Sequence, residues 1–234
     1  MIAAALTPLR RWRLQTQSRR LLSAVASDGG DQKRVPKVKK SFGQHFLTDH
    51  TVVDRIAACA VESLKGTRRV ATSQSPKMLE IGPGSGNLTD RLLQLIGDIE
   101  SNDEETPVRL ECVEVDRRMV PVLRERFSND FTTGRMVLHH ADILEFLDDH
   151  VLGGDKEEVC EGNLHRKFDT VVGNLPYNIS SPIFHRLATS LHSSDGQSLS
   201  SWWNCAIVMT QKEFADRVTV GNMVPCEVHS GVLD

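Results

Sequence analysis

The sequence predicts an open α/β fold with a mostly parallel central sheet and helices on both faces. Short apolar runs that suit buried strands alternate with segments whose apolar residues recur at helical spacing. The run Lys77–Ile81 leads directly into a glycine-rich turn, and a helical stripe over residues 88–96 follows the turn. Strand, turn and helix repeated in this order are typical of a parallel sheet whose strands are connected by helices.

Length and composition favour one globular domain with a tail. Of the 234 residues, 39% are hydrophobic and 25% are charged, which is enough to bury a core. The formal net charge of −3 gives no overall basic excess, so nucleic-acid binding needs a local patch. No apolar run is long enough for a membrane span, and the five scattered cysteines form no C-x-x-C pair. We therefore expect no membrane segment, no disulfide framework and no metal site.

Residues 1–27 have the composition of an organellar transit peptide. They carry five arginines with serine, threonine and alanine, and the first acidic residue is Asp28. The arginines favour a mitochondrial address, with the plastid as the alternative, and an unstructured basic tail is the other interpretation. Residues 28–40 are interpreted as a flexible linker that ends in a basic cluster, which can contact phosphates weakly.

The segment 41–49 is too patterned for a linker, because a glycine stands beside two phenylalanines that can hold the segment against a core. A helix capped by Asp49 or Thr51 is predicted to follow it. His45 lies in the turn before this helix, where it can contact a ligand. A core or surface histidine is the ordinary alternative for this position.

The glycine turn has the form E-x-G-x-G-x-G, with Gly82, Gly84 and Gly86. Backbone in such a turn, at the start of a helix, can approach a nucleotide-like ligand closely. The spacing differs from the G-x-G-x-x-G dinucleotide fingerprint. It resembles the first motif of S-adenosylmethionine-dependent methyltransferases, although a glycine-rich turn alone does not establish a cofactor site.

Acidic residues stand at the ends of the next two predicted strands. Glu114 ends Arg109–Glu114, where nucleotide-binding α/β folds place a carboxylate that accepts hydrogen bonds from ribose hydroxyls. Asp142 ends the predicted strand 136–142 and can accept a hydrogen bond from an adenine amino group. The ordinary role of Asp142 is the N-cap of a helix over Ile143–Leu147, and both roles can hold together.

The fourth predicted strand, 168–173, ends in a polar turn that contains Asn174, Pro176 and Tyr177. The Asn174 carboxamide is both donor and acceptor, Pro176 stiffens the turn, and Tyr177 offers a flat face for a base. This set suits an amino group on a planar heterocycle, whose N–H bonds are held while its lone pair faces an electrophile. An ordinary strand-to-helix turn is the alternative.

A helix is predicted to start at 181–182, a fifth strand to cover 202–209, and another helix to begin within 210–217. The carboxyl ends of parallel strands meet at one edge of a sheet, which is where open α/β folds bind ligands. We therefore expect the glycine turn and the polar strand ends to form one site.

Taken together, these stretches resemble the ribosomal RNA adenine N6-dimethyltransferases of the KsgA/Dim1 family. The matching motifs occur in the family's order and cover most of residues 41–217, which we interpret as the methyltransferase domain. Asn-Leu-Pro-Tyr at 174–177 and Gly-Gln-x-Phe-Leu at 43–47 are the specific ones; the glycine turn is shared with many methyltransferases.

The resemblance implies a Rossmann-like class I methyltransferase that uses S-adenosyl-L-methionine. It also implies that the protein dimethylates adjacent adenosines in a hairpin near the 3′ end of small-subunit rRNA, as a monomer acting on that rRNA or on the pre-ribosomal small subunit. The implied catalytic residues are Asn174, Pro176 and Tyr177. The implied cofactor contacts are His45, Leu47, Gly82, Gly84, Gly86, Glu114, Asp142 and Asn174.

The resemblance stops after Arg217. The family continues into two more strands and a small helical domain that helps to hold RNA, whereas 218–234 shows neither and is interpreted as a divergent tail. We expect the C-terminal strands and the helical domain to be missing, as in a truncated or misjoined gene product. The loss of the strands is expected to leave a sheet edge uncovered.

Two other functions stay open at this point. One is a non-catalytic RNA-binding protein or mitochondrial transcription factor derived from the same family, which the divergent tail favours. The other is an N6-adenine DNA methyltransferase, because related Asn-Pro-Pro-Tyr sites serve that substrate. Leu175 in place of proline counts against the DNA enzyme.

Overall fold

The structure is a computed structural model of the chain. It describes residues 2–6, 36, 46–67, 75–102, 107–149, 168–189, 202–220 and 229–232. His45, the linker 28–40 apart from residue 36, and the predicted leader apart from residues 2–6 lie outside these ranges. The division of the chain into leader, linker, domain and tail therefore stays a prediction.

The described residues form seven strands and seven helices. The strands are β1 (Ile2–Leu6), β2 (Lys77–Ile81), β3 (Arg109–Glu114), β4 (Met136–His140), β5 (Thr170–Asn174), β6 (Cys205–Thr210) and β7 (His229–Val232). The helices are α1 (His50–Thr67), α2 (Asn87–Asn102), α3 (Met119–Arg126), α4 (Ser128–Thr132), α5 (Ile143–Leu147), α6 (Ser180–Thr189) and α7 (Lys212–Val220). Asp49 caps α1, because its Oδ1 accepts a hydrogen bond from the Thr51 N–H at 2.9 Å.

All the strands lie in one sheet, in the order β4-β3-β2-β5-β6-β1-β7. Strands β2 to β6 run parallel to one another. The order reverses at β2, since the chain adds β3 and β4 on one side of it and β5 and β6 on the other. Ligands bind at such a reversal in open α/β sheets, so the fold itself points to the carboxyl ends of β2 and β5.

The sheet separates two hydrophobic cores. Apolar residues of α1, α2 and α3 pack on one face, and those of α5 and α6 pack on the other. The pleat of β2 sends Met78 into the first core and Leu79 into the second, and both side chains are fully buried. This arrangement confirms the predicted fold class, a mostly parallel sheet with helices on both faces.

The outer edge of β6 is covered, contrary to the expectation of an open edge. Strand β1 pairs antiparallel with β6, with Ile2 opposite Thr210, and β7 pairs antiparallel with β1. The expectation that 218–234 holds no further strand was wrong, since β7 lies within it. The physical reason is that all six residues of β6 are buried, so its backbone donors and acceptors need a partner strand.

Gly173 fixes how closely β5 can approach β2. A Cβ added at this glycine would lie 2.6 Å from the Ile81 carbonyl oxygen and 3.1 Å from the Ile81 Cβ. The Ile81 backbone cannot move away from this Cβ without separating β2 from β5. The alanine variant is therefore expected to disturb the sheet where the two strands meet.

We predict that Gly173→Ala lowers the free energy of unfolding by roughly 1 to 3 kcal/mol, the usual cost of overpacking a core. The matched control is Gly97→Ala in α2, where a Cβ would meet only the Arg135 Nη2 at 3.5 Å. That control is expected to gain up to about 1 kcal/mol from helix propensity. Urea unfolding of both variants measures the difference, and equal effects at the two positions would contradict this account of strand packing.

Candidate cofactor and substrate site

The glycine turn after β2 has one open position and two packed ones. Gly82, Gly84 and Gly86 all have positive φ, at 66°, 56° and 83°. A Cβ at Gly82 would meet nothing within 4 Å, whereas at Gly84 it would lie 3.2 Å from the Phe46 ring and at Gly86 2.7 Å from the Phe127 ring. Gly82 therefore leaves backbone open to a ligand, and Gly86 allows helix packing behind the turn.

A cleft runs along the carboxyl ends of β2, β3 and β5. Seven of the predicted site residues line it: Leu47, Gly82, Gly84, Glu114, Asp142, Asn174 and Pro176. Gly86 and Tyr177 are not among the lining residues, and His45 lies outside the described part of the chain. The glycine turn and the carboxamide after β5 thus face the same space, as expected from the strand ends.

Both carboxylate oxygens of Glu114 accept hydrogen bonds from backbone N–H groups that line or adjoin the cleft. Its Oε2 accepts a hydrogen bond from the Gly84 N–H at 2.9 Å, and its Oε1 accepts one from the Asp116 N–H at 2.8 Å. Burial raises the pKa of Glu114, and these two backbone donors partly offset the rise. The Val115 N–H is a third backbone donor to this carboxylate, whose four lone-pair sites still leave room to accept from a ligand hydroxyl.

Asp142 is the N-cap of α5, one of its two predicted roles. Its Oδ1 accepts a hydrogen bond from the Leu144 N–H at 2.7 Å, and its backbone is extended. The cap fixes the carboxylate at the rim of the cleft beside Ile143. One oxygen is used by the helix, so the other is the one that can meet an amino group.

The turn after β5 is locked by its backbone. The Leu175 N–H donates to the Met209 carbonyl at 2.9 Å, and the Pro176 carbonyl accepts from the Ser180 hydroxyl at 2.9 Å. Leu175 is buried, and the side-chain oxygen of Asn174 is buried as well. The carboxamide is therefore held at the cleft wall, while Tyr177 lies half-buried in the turn towards α6.

A chain of hydrogen bonds ties the segment before α1 to the glycine turn. The Asn87 Nδ2 donates to the Leu47 carbonyl at 3.0 Å, and the Arg126 Nη1 donates to the Asn87 Oδ1 at 3.1 Å. The same Arg126 nitrogen donates to the Ser85 carbonyl at 2.9 Å. These hydrogen bonds hold Leu47 at the cleft, in a fixed position relative to the glycine turn.

Sequence reasoning missed Glu80, Phe46 and Val115 as cleft residues. Glu80 is 1% exposed, and the Cys112 thiol lies 3.5 Å from its Oε2. Burial raises the pKa of Glu80 to about 7. The sequence could have indicated Glu80 as a functional residue, because an acid among the apolar residues at the end of a buried strand is costly. Val115 is 39% exposed, and only its position after Glu114 could have suggested a ligand contact.

The charges of the cleft are all of one sign. Its lining, within the described ranges, contains the carboxylates of Glu80, Glu114 and Asp142 and no lysine, arginine or histidine. No group of His, Cys, Asp and Glu that could hold a metal ion occurs among the residues that the structure describes. Across the same residues, no helix is long and apolar enough to cross a bilayer. The cleft suits a ligand with hydroxyl and amino donors or with positive charge.

We predict that Glu80→Gln stabilises the fold more at pH 8 than at pH 5. The carboxyl has a folded-state pKa of about 7 against 4.5 in the unfolded chain, so its favourable protonated state is lost as pH rises through this window. Above pH 7 the loss is complete and amounts to about 3 kcal/mol at most. The amide cannot ionise, so it avoids this loss.

Urea unfolding of wild type and Glu80→Gln from pH 5 to pH 8 measures the effect. The exposed Glu213→Gln is the control for the removal of one carboxylate. If the stability difference between Glu80→Gln and wild type did not change across this range, the account of Glu80 as a destabilised buried acid would fail.

Known proteins with similar sequences cover most of the described domain. The family model described as "Ribosomal RNA adenine dimethylase" matches residues 35–223. The small-subunit rRNA methyltransferase A of Chromohalobacter salexigens is 37% identical over 156 residues, which is 66% of this chain and 44% of that protein. The protein of the same name from Methylococcus capsulatus is 32% identical over 189 residues, 81% of this chain and 55% of that protein.

Among solved structures, a putative O-methyltransferase from Klebsiella pneumoniae is similar with a TM-score of 0.44 and 14% identity, over 77% of this chain and 63% of that one. The chain spans about half the length of the curated relatives it matches. The family model covers well over half of the chain, from before α1 to beyond α7. The chain therefore belongs to the ribosomal RNA adenine dimethylase family.

Proposed function

We propose that the protein is an S-adenosylmethionine-dependent methyltransferase that dimethylates N6 of adjacent adenosines in a small-subunit rRNA hairpin. The observation that carries the proposal is the shared cleft: Asn174 and Pro176 line the same space as Gly82. Family membership supplies the reaction class, and the carboxamide supplies a group that can hold an aromatic amine.

The described residues fit the proposed cofactor. Gly82 leaves backbone exposed to the cleft, as close ligand approach requires. Glu114 is placed to accept from ribose hydroxyls and Asp142 from the adenine amino group, while Leu47 closes the cleft from above. The absence of basic side chains in the described lining disfavours a pyrophosphate-containing cofactor and favours a cationic one.

Bound S-adenosylmethionine supplies a methyl group on a positively charged sulfur. The protein's own part is to position the acceptor, because the exocyclic amine of adenine is a weak nucleophile whose lone pair is delocalised into the ring. An acceptor on Asn174 and a backbone carbonyl beside Pro176 hold the two N–H bonds and direct the lone pair into the cleft. Tyr177, next to this wall, is placed to stack on the target base.

Once the new N–C bond forms, the amine loses a proton, which can pass to solvent without a strong base. Positioning and water exclusion thus carry the catalysis in this proposal. The substrate has to be an unpaired adenine, since a paired base hides its amino group in the helix. We propose that the partner is small-subunit rRNA, free or in the pre-ribosomal small subunit, and that the protein acts as a monomer.

We predict that Asn174→Ala lowers methyl transfer to a small-subunit rRNA hairpin about 10²- to 10³-fold, the usual effect of removing one positioned polar group. Transfer of a labelled methyl group from S-adenosylmethionine, with separation of mono- and dimethyladenosine, measures it. Asn129→Ala, on the exposed surface of α4, is the matched control and should transfer at the wild-type rate.

Two outcomes would contradict this proposal. Wild-type protein that binds S-adenosylmethionine but never methylates the hairpin would favour the non-catalytic RNA-binding interpretation. Equal activity of the Asn174 and Asn129 variants would show that the carboxamide does not hold the amine.

We propose a mitochondrial location from the acid-free, arginine-containing composition of residues 1–27. The prediction is that these residues, fused to a fluorescent protein, direct it to mitochondria. The same fusion with its arginines changed to glutamine should stay in the cytosol, because the targeting signal depends on positive charge. Accumulation in plastids would support the alternative organelle, and a cytosolic wild-type fusion would contradict both.

A further inference from the structure

Glu80 is a buried acid that no part of the proposed reaction uses. It lies in the carboxyl-terminal half of β2, directly before the glycine turn, and lines the cleft while being 1% exposed. The Cys112 thiol donates to its Oε2 at 3.5 Å, and the Thr89 hydroxyl is a second polar neighbour. A carboxylate in such a place is costly unless something positive approaches it.

In the part of the chain that the structure describes, the groups around Glu80 supply no positive charge. Strand β3 presents Cys112 and Glu114, and helix α2 presents the Thr89 hydroxyl. Strand β5 places Val172 opposite it, and Asp142 lines the cleft after β4. Among the described residues, the ionisable neighbours of Glu80 are therefore acids and a thiol, so a cationic ligand can supply the counter-charge.

We propose that Glu80 gives the cleft a charge preference, favouring a methyl donor with a cationic sulfur over the neutral thioether left after transfer. This inference rests on the proposed function. Donor and spent product carry the same ribose, adenine and amino-acid groups, and they differ by one methyl and one positive charge. A buried carboxylate acts on that charge difference far more strongly than a solvent-exposed one.

The raised pKa of Glu80 supports a preference for the cationic donor. Burial raises the pKa of Glu80 to about 7, so near neutral pH the carboxyl is partly protonated. A bound cation favours the ionised form, and its binding therefore releases a proton. The product lacks the charge on sulfur, and the amino-acid ammonium that both ligands carry acts on Glu80 equally in the two complexes. The preference should be weak below pH 6 and strong at pH 8.

Calorimetry on the full chain with S-adenosylmethionine and S-adenosylhomocysteine tests the inference at pH 6 and pH 8. We expect the affinity ratio of donor to product to rise about tenfold between these pH values, as for a carboxyl whose pKa falls by two units on binding. Glu114 and Asp142 face groups that the two ligands share, so their titration cancels in the ratio. At pH 7, donor binding should release about half a proton more than product binding, measured in two buffers.

The variant Glu80→Gln should remove the pH dependence of the ratio and lower it about 100-fold at pH 8 and about tenfold at pH 6, while product affinity stays near that of wild type. Retained product binding shows that the cleft is folded. The control Glu213→Gln makes the same charge change on the exposed surface of α7 and should keep the wild-type ratio.

Two failures can be told apart. Donor and product curves that run parallel with pH in wild type would overturn the role of Glu80 and leave the proposed methyltransferase function standing. Binding of neither ligand at any pH would overturn the proposed function, and this inference with it. The wild-type comparison decides the matter even if Glu80→Gln fails to fold.

Discussion

The parallel pairing of β2 with β5 is the constraint on which the site depends. The register places Ile81 opposite Gly173, so the next residues, Gly82 and Asn174, lie side by side at the carboxyl ends of the two strands. Only glycine at 173 permits the approach, because a Cβ there would meet the Ile81 backbone. The glycine turn and the Asn174 carboxamide are therefore brought together by the packing of these two strands.

Two acids of the cleft, Glu114 and Asp142, stabilise the fold and also set the charge of the cleft. Glu114 fixes the backbone of the glycine turn through the Gly84 N–H, and Asp142 begins α5 by capping it. Because their orientations are set by these bonds, a ligand need not order them, which reduces the entropic cost of binding. The same acids leave the cleft without a positive charge among its described lining residues. A cationic ligand is thus favoured by groups that the fold already requires.

Much of this architecture could be predicted from local sequence. Strands Lys77–Ile81 and Arg109–Glu114 have the predicted bounds, since each is a short, mostly buried run that ends at a turn or an acid. Strand β6 begins at Cys205, three residues later than predicted, because the apolar Trp202 and Trp203 pack in the core ahead of the ladder. The resemblance also implied Gly86 as a cofactor contact, and in the structure a Cβ at Gly86 would meet the Phe127 ring at 2.7 Å and Leu123 of α3 at 3.1 Å. A sequence pattern can indicate that a residue is buried, but it does not indicate whether protein or a ligand covers it.

The edge of the sheet shows the limit of local prediction more sharply. Residues 2–6 have a composition that fits a targeting leader, and nothing within them specifies β6 as a partner. The cause of the pairing lies in β6. This buried strand presents backbone donors and acceptors, which any extended apolar segment within reach can satisfy. Side chains set register where a face is buried, but hydrogen bonding at an edge is indifferent to sequence. The strand at such an edge is therefore selected by chain geometry, which a pattern read along the sequence does not contain.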